Sequence, residues 1–198
     1  MIPKPIATGI VFSSIVFATA STQAQVVVDV SKITCDQFVH AKIATPLYLA
    51  AWLSGYYNAK RNNRIVDLQA LEENMNKVQN YCYDEKNFKV PVMQAVETVL
   101  GKSSNRLAHD PGAGTANVDV TKITCDEFVA RPAKIANPLY LAAWISGYYH
   151  AKRNNRILDV QAFEENMNKV QKYCYDEKNF KVPIMEAVER VLGVSLDK

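Results

Sequence analysis

Apolar residues recur with helical spacing along most of the chain. In the clearest segment the spacing is 3-4-3-4, which is typical of a helix with one apolar face: Leu68, Leu71, Met75, Val78 and Cys82. The segment just before it, 47–57, is apolar at every position except Ser54, so it predicts a helix that is buried on nearly all sides. No segment shows the alternation of a strand, and the pattern therefore predicts an all-α fold.

Capping residues set the limits of four short helices. A capping box of the Ser/Thr-x-x-Glu/Gln form, a capping residue before a proline, and glycines or asparagines after an apolar run mark helix ends. The predicted limits are the capping box at 34–37, Thr45-Pro46 to Asn62-Asn63 for the second helix, an Asp67 cap for the third, and Pro91 to Gly101 for the fourth.

The sequence that predicts these four helices occurs twice in the chain. Residues 46–101 align with 138–193 at an offset of 92, and 47 of these 56 positions are identical. Upstream, 28–39 aligns with 118–129 at an offset of 90, so the second copy carries a two-residue insertion near Arg131-Pro132. The predicted fold class is all-α, with two tandem copies of a small four-helix domain.

The first 24 residues have the pattern of a secretory signal peptide. Lys4 is the only charged residue before Asp29, an apolar stretch covers 6–20, and small residues occupy 22 and 24. We expect cleavage after Ala24 and export from the cytoplasm. A retained membrane anchor is the alternative, but it needs about 20 apolar residues and this run is shorter and diluted.

Each copy contains one pair of cysteines, at 35 and 82 and at 125 and 174. Zinc sites favour closely spaced ligand pairs, and an active dithiol favours C-x-x-C; neither pattern is present. In an exported chain paired cysteines predict disulfides. Four cysteines permit three pairings, but two nearly identical copies should each close their own loop, which predicts Cys35–Cys82 and Cys125–Cys174.

The second helix of each copy exposes more apolar surface than three short helices can cover. Its aromatic residues are the candidate contact residues: Tyr48, Trp52, Tyr56, Tyr140, Trp144 and Tyr148. Each of them, taken singly, is also explained as an ordinary core residue. For the helix as a whole, we expect one face to pack against a partner, most simply the other repeat.

Charge has a small effect at neutral pH and a large one in acid. Without Lys4 the chain has 22 basic and 20 acidic side chains, a net charge of +2, which becomes +25 when all carboxylates and the three histidines are protonated. The basic cluster 60–64 and its copy 152–156 are better explained as solvated helix ends than as a nucleic-acid site. Acid would also remove the helix caps and the i,i+4 pairs Glu73–Lys77 and Glu165–Lys169.

These features together resemble the HdeA/HdeB family of periplasmic acid-stress chaperones. The resemblance rests on the I-T-C-[DE]-[EQ]-F start, the Trp-bearing helix after a proline, and the aromatic-Cys pairs Tyr81-Cys82 and Tyr173-Cys174. It implies the same two disulfides, helical dimers at neutral pH, and loosening in acid that exposes apolar surface for unfolding proteins. The six aromatic residues of the second helices then become candidates for client binding as well.

The chain departs from that family in being a tandem duplication. We expect a signal peptide at 1–24, domains at 25–101 and 118–198, and a linker at 102–117 that lets the repeats form an internal pseudo-dimer or a homodimer. The leading hypothesis is an ATP-independent holdase for unfolded periplasmic proteins. A constitutive binding or structural module with the same fold is the alternative. Neither catalytic residues nor a metal, a cofactor, nucleic acid or stable membrane insertion is expected, because no catalytic or phosphate-binding motif occurs.

Overall fold

The computed structural model describes residues 26–101, 117–129 and 138–195. The predicted signal peptide, almost all of the predicted linker and the insertion at Arg131-Pro132 lie outside these residues. The described part is mostly helical, which confirms the predicted fold class. Its helices are α1 Cys35–Val39, α2 Pro46–Lys60, α3 Leu68–Cys82, α4 Val92–Leu100, α5 Cys125–Val129, α6 Pro138–Lys152, α7 Val160–Cys174 and α8 Ile184–Leu192.

The predicted caps begin these helices. Thr34 Oγ1 accepts a hydrogen bond from the Gln37 amide at 3.3 Å, and Gln37 Oε1 accepts one from the Thr34 amide at 3.0 Å, which completes the capping box. Asp67 Oδ1 accepts from the Ala70 amide at 2.9 Å, and Asp159 makes the same bond in the second repeat. Each cap satisfies an amide that the helix itself leaves unpaired.

The helix ends also follow the sequence. Asn62 and Asn154, which follow α2 and α6, have φ angles of 55° and 51°, in the left-handed region that asparagine tolerates. Gly101 and Gly193 follow α4 and α8 with φ angles of 84° and 63°. The turn after each of these four helices therefore depends on a residue type that adopts positive φ at low cost.

Four three-residue strands among the described residues correct the expectation that no strand would form. They are β1 Val27–Asp29, β2 Ile65–Asp67, β3 Asn117–Asp119 and β4 Ile157–Asp159. Strand β1 pairs antiparallel with β4, and β2 pairs antiparallel with β3, so each two-stranded sheet joins one repeat to the other. Asn117, which the sequence analysis placed at the end of the linker, is the first residue of β3.

Each half of the chain contains one disulfide, as the sequence predicts. Cys35 is bonded to Cys82 and Cys125 to Cys174, and no free cysteine occurs among the described residues. The bonds tie α1 to the end of α3 and α5 to the end of α7. All four sulfurs are buried, so the disulfides lie inside the hydrophobic core.

The hydrophobic core crosses the boundary between the repeats. The cluster built mainly from the first repeat includes Leu158 and Phe163 of the second, and the cluster of the second includes Ala59 and Val66 of the first. Each repeat thus completes the core of the other. Burial of apolar surface, which is the main stabilising contribution to folding, is shared between the two copies.

Candidate functional site at the contact between the repeats

Helices α2 and α6 cross with their backbones in direct contact. A Cβ atom built on Gly55 would lie 1.9 Å from the carbonyl oxygen of Trp144, and one built on Gly147 would lie 2.0 Å from that of Trp52. Only glycine permits this approach, because every other side chain begins with that atom. The two glycines therefore set the distance between the helices and the position of the aromatic residues around the crossing.

The two tryptophans lie at this crossing and are buried. Trp52 is 0% exposed and Trp144 is 1% exposed. Trp52 stacks on Tyr56 with the ring centroids 5.2 Å apart, and Trp144 stacks on Tyr148 at the same distance. These four predicted contact residues thus form two equivalent pairs, one on each side of the crossing.

The third predicted pair, Tyr48 and Tyr140, is not equivalent in the two repeats. Tyr48 is buried and its ring meets Phe163 of α7 edge to face, with centroids 5.0 Å apart. Tyr140 is partly buried and faces Leu71, the counterpart of Phe163, across a cavity of about 10 Å³. The exchange of leucine for phenylalanine between the copies therefore makes one end of the contact more aromatic.

The contact is rich in apolar surface and poor in hydrogen bonds. Four buried polar atoms of the aromatic residues have no hydrogen-bond partner: Tyr48 Oη, Trp52 Nε1, Trp144 Nε1 and Tyr148 Oη. Tyr56 differs, because its hydroxyl oxygen accepts a hydrogen bond from Arg156 Nε of the other repeat at 3.3 Å. Each unpaired buried group destabilises the closed state by about 1–3 kcal/mol relative to hydration. Separation of the repeats would release that penalty while it exposes the rings.

Carboxylates flank the two sheets that join the repeats. Asp29 ends β1 and accepts hydrogen bonds from Ser31 at 2.6 Å (Oγ) and 3.0 Å (amide). Asp119 ends β3 and accepts the same pair of bonds from Thr121, at 2.7 and 3.1 Å. These bonds hold the pKa of both carboxyl groups below the usual 3.8. The next residue, Val30, donates its amide to Arg156 of the other repeat at 2.9 Å, so each turn adjoins the contact.

Other carboxylates form ion pairs at the surface. Lys86 lies 2.7 Å from Asp84, and Lys178 lies 2.8 Å from Asp176; each hydrogen bond lowers the pKa of its aspartate. Exposed pairs of this kind contribute little singly. The predicted pairs Glu73–Lys77 and Glu165–Lys169 are not among the ion pairs of the described residues. Both glutamates accept hydrogen bonds from glutamines one turn earlier instead.

Each repeat has an apolar groove between its last three helices, on the other side of α2 or α6. In the first repeat the groove contains a cavity of about 70 Å³, lined by residues such as Leu53, Tyr57 and Val78. The equivalent cavity in the second repeat, lined by Ile145, Tyr149 and Val170 among others, measures about 550 Å³. The second helices are thus covered on one face by the other repeat and on the opposite face by their own repeat.

One residue at the contact is titratable in the second repeat only. His150 of α6 occupies the position of Asn58 in α2, and its ring centroid lies 5.6 Å from that of Trp52. Only the crossing of the helices shows that His150 lies beside a tryptophan of the other copy.

The described residues contain no group of three or more histidine, cysteine or acidic side chains placed to hold a metal ion. No helix among the same residues has the length and apolar character needed to cross a membrane.

A comparison with family models gives a match to both halves of the chain. The model of the HdeA/HdeB family matches residues 6–91 and, a second time, residues 93–183. No curated protein and no solved structure matches the chain. The two matched ranges agree with a tandem duplication and cover most of the 198 residues.

Proposed function

The chain belongs to the HdeA/HdeB family, and we propose that it is a periplasmic, ATP-independent holdase that binds unfolding proteins in acid. Members of this family are acid-stress chaperones of the periplasm. In this proposal the aromatic face between the repeats is the client-binding surface, and each chain carries it in two copies. The face is closed at neutral pH and becomes available when the repeats separate.

The observation that carries the proposal is the burial of Trp52 and Trp144 between two copies of the same unit. Fully burying a large apolar side chain is worth about 1.5–3 kcal/mol, so this face must be covered by something. At neutral pH the other repeat covers it. After separation, the apolar segments of an unfolding protein would bind this face and bury it again.

Acid supplies a physical reason for separation. The carboxyl groups of Asp29 and Asp119 have lowered pKa values in the folded protein, chiefly because of hydrogen bonds from Ser31 and Thr121, so they stabilise the fold above their usual pKa and lose that contribution as pH falls through the lowered values. At Asp29 the charge of Arg156, which belongs to the other repeat, adds to the lowering of the pKa, so part of this contribution belongs to the contact. The net charge of the chain without its first 24 residues rises from +2 towards +25 over the same change. Repulsion between two positively charged repeats would then favour the open state.

We further propose that the segment 1–24 is a signal peptide cleaved after Ala24, and that the two repeats at 25–101 and 118–198 act as one unit. The disulfides limit how far each repeat expands when the contact opens, because each closes a loop of nearly 50 residues. Each repeat would therefore keep much of its helical structure in acid. An exposed apolar helix on a compact, charged carrier would keep a bound client soluble.

Light scattering by an aggregating client protein, with and without the mature chain, tests the proposal. We expect suppression of aggregation at pH 2–3 and none at pH 7. Tyr140→Ser, which removes one aromatic ring from the proposed surface, should weaken suppression in acid. Tyr175→Ser is the matched control, because that ring is 63% exposed and lies beside the disulfide at the end of α7. Equal suppression by both variants would contradict the assignment of the surface.

A constitutive binding module remains the second candidate. The cavity of about 550 Å³ in the second repeat favours it, because this space is present while the repeats are closed. Such a module would suppress aggregation equally at neutral and acid pH. The same light-scattering series therefore separates the two functions.

A further inference from the structure

The contact between the repeats is nearly symmetric, and its main chemical asymmetry is the pair Asn58 and His150. Asn58 is buried, donates to the Ser54 carbonyl at 2.9 Å and accepts from Asn63 Nδ2 at 2.8 Å. An asparagine at this position keeps the same charge at every pH. The equivalent position in the second repeat holds a group that changes charge between neutral and acid pH.

The surroundings of His150 favour the neutral ring. Its Nδ1–H donates to the carbonyl of Ser146 at 2.8 Å, which leaves Nε2 as the nitrogen that takes up a proton. The ring also lies against Trp52, which is fully buried and belongs to the other repeat. His150 is partly buried and also lines the cavity of the second repeat, so a proton taken up here would place a positive charge at the edge of the apolar contact between α2 and α6.

The net effect of the groups around His150 is to disfavour that charge. Arg153 on its own helix repels a positive ring. Lys169 of α7 and Asp159 at the end of β4 line the same cavity as His150, and α2 presents the indole of Trp52. The carbonyls of Ser146 and Ile157 favour the charged ring, but burial and Arg153 outweigh them and keep the pKa of His150 below its usual 6.5.

We propose that His150 is a proton-operated switch that loosens the contact between the repeats at a higher pH than the carboxylates do. The proposal rests on the proposed function, since it names the group that begins the opening of the same surface. Because the first repeat has Asn58 instead, the opening begins at the end of the crossing where Trp52 meets α6. Trp52 would therefore be exposed before Trp144.

The direction of the pH effect follows from the pKa of His150 in the open and closed states of the protein. In the open state the ring is hydrated and has a pKa near the usual 6.5, whereas in the closed state burial lowers the pKa. The open state therefore binds the proton first, and the closed state loses stability as pH falls from 6.5 to the lowered value. A single group of this kind changes the ratio of open to closed protein by at most about tenfold per pH unit.

The test uses the mature chain with both disulfides intact and follows the fluorescence of its two tryptophans from pH 7 to pH 2. His150→Asn introduces the residue that the first repeat has at this position. It should remove the part of the fluorescence change that occurs at higher pH and leave the part at lower pH, which the carboxylates cause. Asn58→His should enlarge the part at higher pH. His40→Asn is the control, because His40 is exposed and pairs with Asp36 at 3.0 Å, away from the crossing.

Proton NMR of the histidine rings gives a second readout that does not depend on stability. The His150 signal, assigned by its loss in the His150→Asn protein, should titrate below 6.5 and together with the tryptophan fluorescence. Titration of His150 at 6.5 or above, or identical fluorescence curves for wild type and His150→Asn, would overturn the switch.

Aggregation assays keep this inference separate from the proposed function. If His150→Asn opens at the wild-type pH and the wild type suppresses aggregation in acid, the switch is wrong and the holdase stands. If His150→Asn opens at a lower pH but no protein suppresses aggregation, the switch stands and the holdase is wrong.

Discussion

Gly55 lies against the backbone carbonyl of Trp144, so close that a Cβ atom at this position would be 1.9 Å from the oxygen. Ordinary contacts of a Cβ atom begin at 3.4 Å. The obstacle is backbone, which cannot rotate away as a side chain does. Any side chain at Gly55 must therefore push α2 and α6 apart.

Gly55→Ala should destabilise the contact between the repeats at neutral pH. We expect a loss of about 1–3 kcal/mol or more in the free energy of unfolding, because overpacking a close contact costs that much. Urea denaturation at pH 7 measures this loss. The tryptophan fluorescence of the variant should also change at a higher pH than that of the wild type.

Gly193→Ala is the control for that variant. Gly193 has a positive φ of 63°, but no atom lies within 4 Å of its added Cβ. We expect a loss of about 1–2 kcal/mol from the left-handed backbone alone and no shift in the pH of opening. A Gly55→Ala protein that opens at the wild-type pH would show that the crossing does not control separation.

The carboxylate of Asp29 should contribute stability at neutral pH and none in strong acid. Its pKa is lowered by the hydrogen bonds from Ser31, so the contribution is complete above the usual 3.8 and disappears as pH falls through the lowered value. Asp29→Asn should have a lower free energy of unfolding than wild type at pH 7. When the free energy of unfolding is measured against pH, the difference between the two proteins should disappear below the lowered pKa of Asp29. A constant difference at all pH values would exclude Asp29 as an acid-sensitive group.

Each disulfide should stabilise both repeats and not only the repeat that contains it. Replacing Cys35 and Cys82 by alanine opens a loop with a sequence separation of 47, which costs about 4 kcal/mol in the chain-entropy model. Because the cores are shared, the double variant should also lower the stability of the second repeat. Hydrogen exchange of the α6 amides, compared between the variant and wild type, measures this. Unchanged exchange in α6 would mean that the repeats unfold independently.

Covalent linkage of the repeats should make opening independent of protein concentration. A flexible tether supplies an effective concentration in the millimolar range, far above a micromolar solution. Cleavage at a protease site introduced near Gly112 should leave the halves associated at pH 7 but should make their opening depend on dilution. If cut and uncut proteins open at the same pH over a hundredfold dilution, the linker does not stabilise the contact by raising the effective concentration of the repeats.

Local signals in the sequence were sufficient for the helices and the disulfides. The caps at Thr34 and Asp67 act on amides two or three residues away, so their effect needs no knowledge of the fold. The unusual apolar character of 47–57 also indicated a helix covered on two sides. These predictions depend on contacts near in sequence or on exact repetition.

The strands and the role of His150 could not be predicted in the same way. Strand β1 has three residues and pairs with β4, about 130 residues later, so the alternation that identifies a strand is too short to detect. The position of His150 beside Trp52 depends on how α2 and α6 cross. Nothing local to residue 150 specifies a residue nearly a hundred positions away in the other copy.

In the function we propose, acid exposes the aromatic face between the repeats and this face holds the client. Trp52 and Trp144 are the only two tryptophans of the chain, and both are buried in that face, so their fluorescence reports directly on its exposure. The most direct measurement follows tryptophan fluorescence and suppression of client aggregation in the same samples from pH 7 to pH 2.

We expect suppression of aggregation to rise together with the change in tryptophan emission, with red-shifted emission wherever suppression is complete. Full suppression while both tryptophans keep the emission of the buried state would contradict the proposed function, as would exposed tryptophans in a protein that leaves aggregation unchanged.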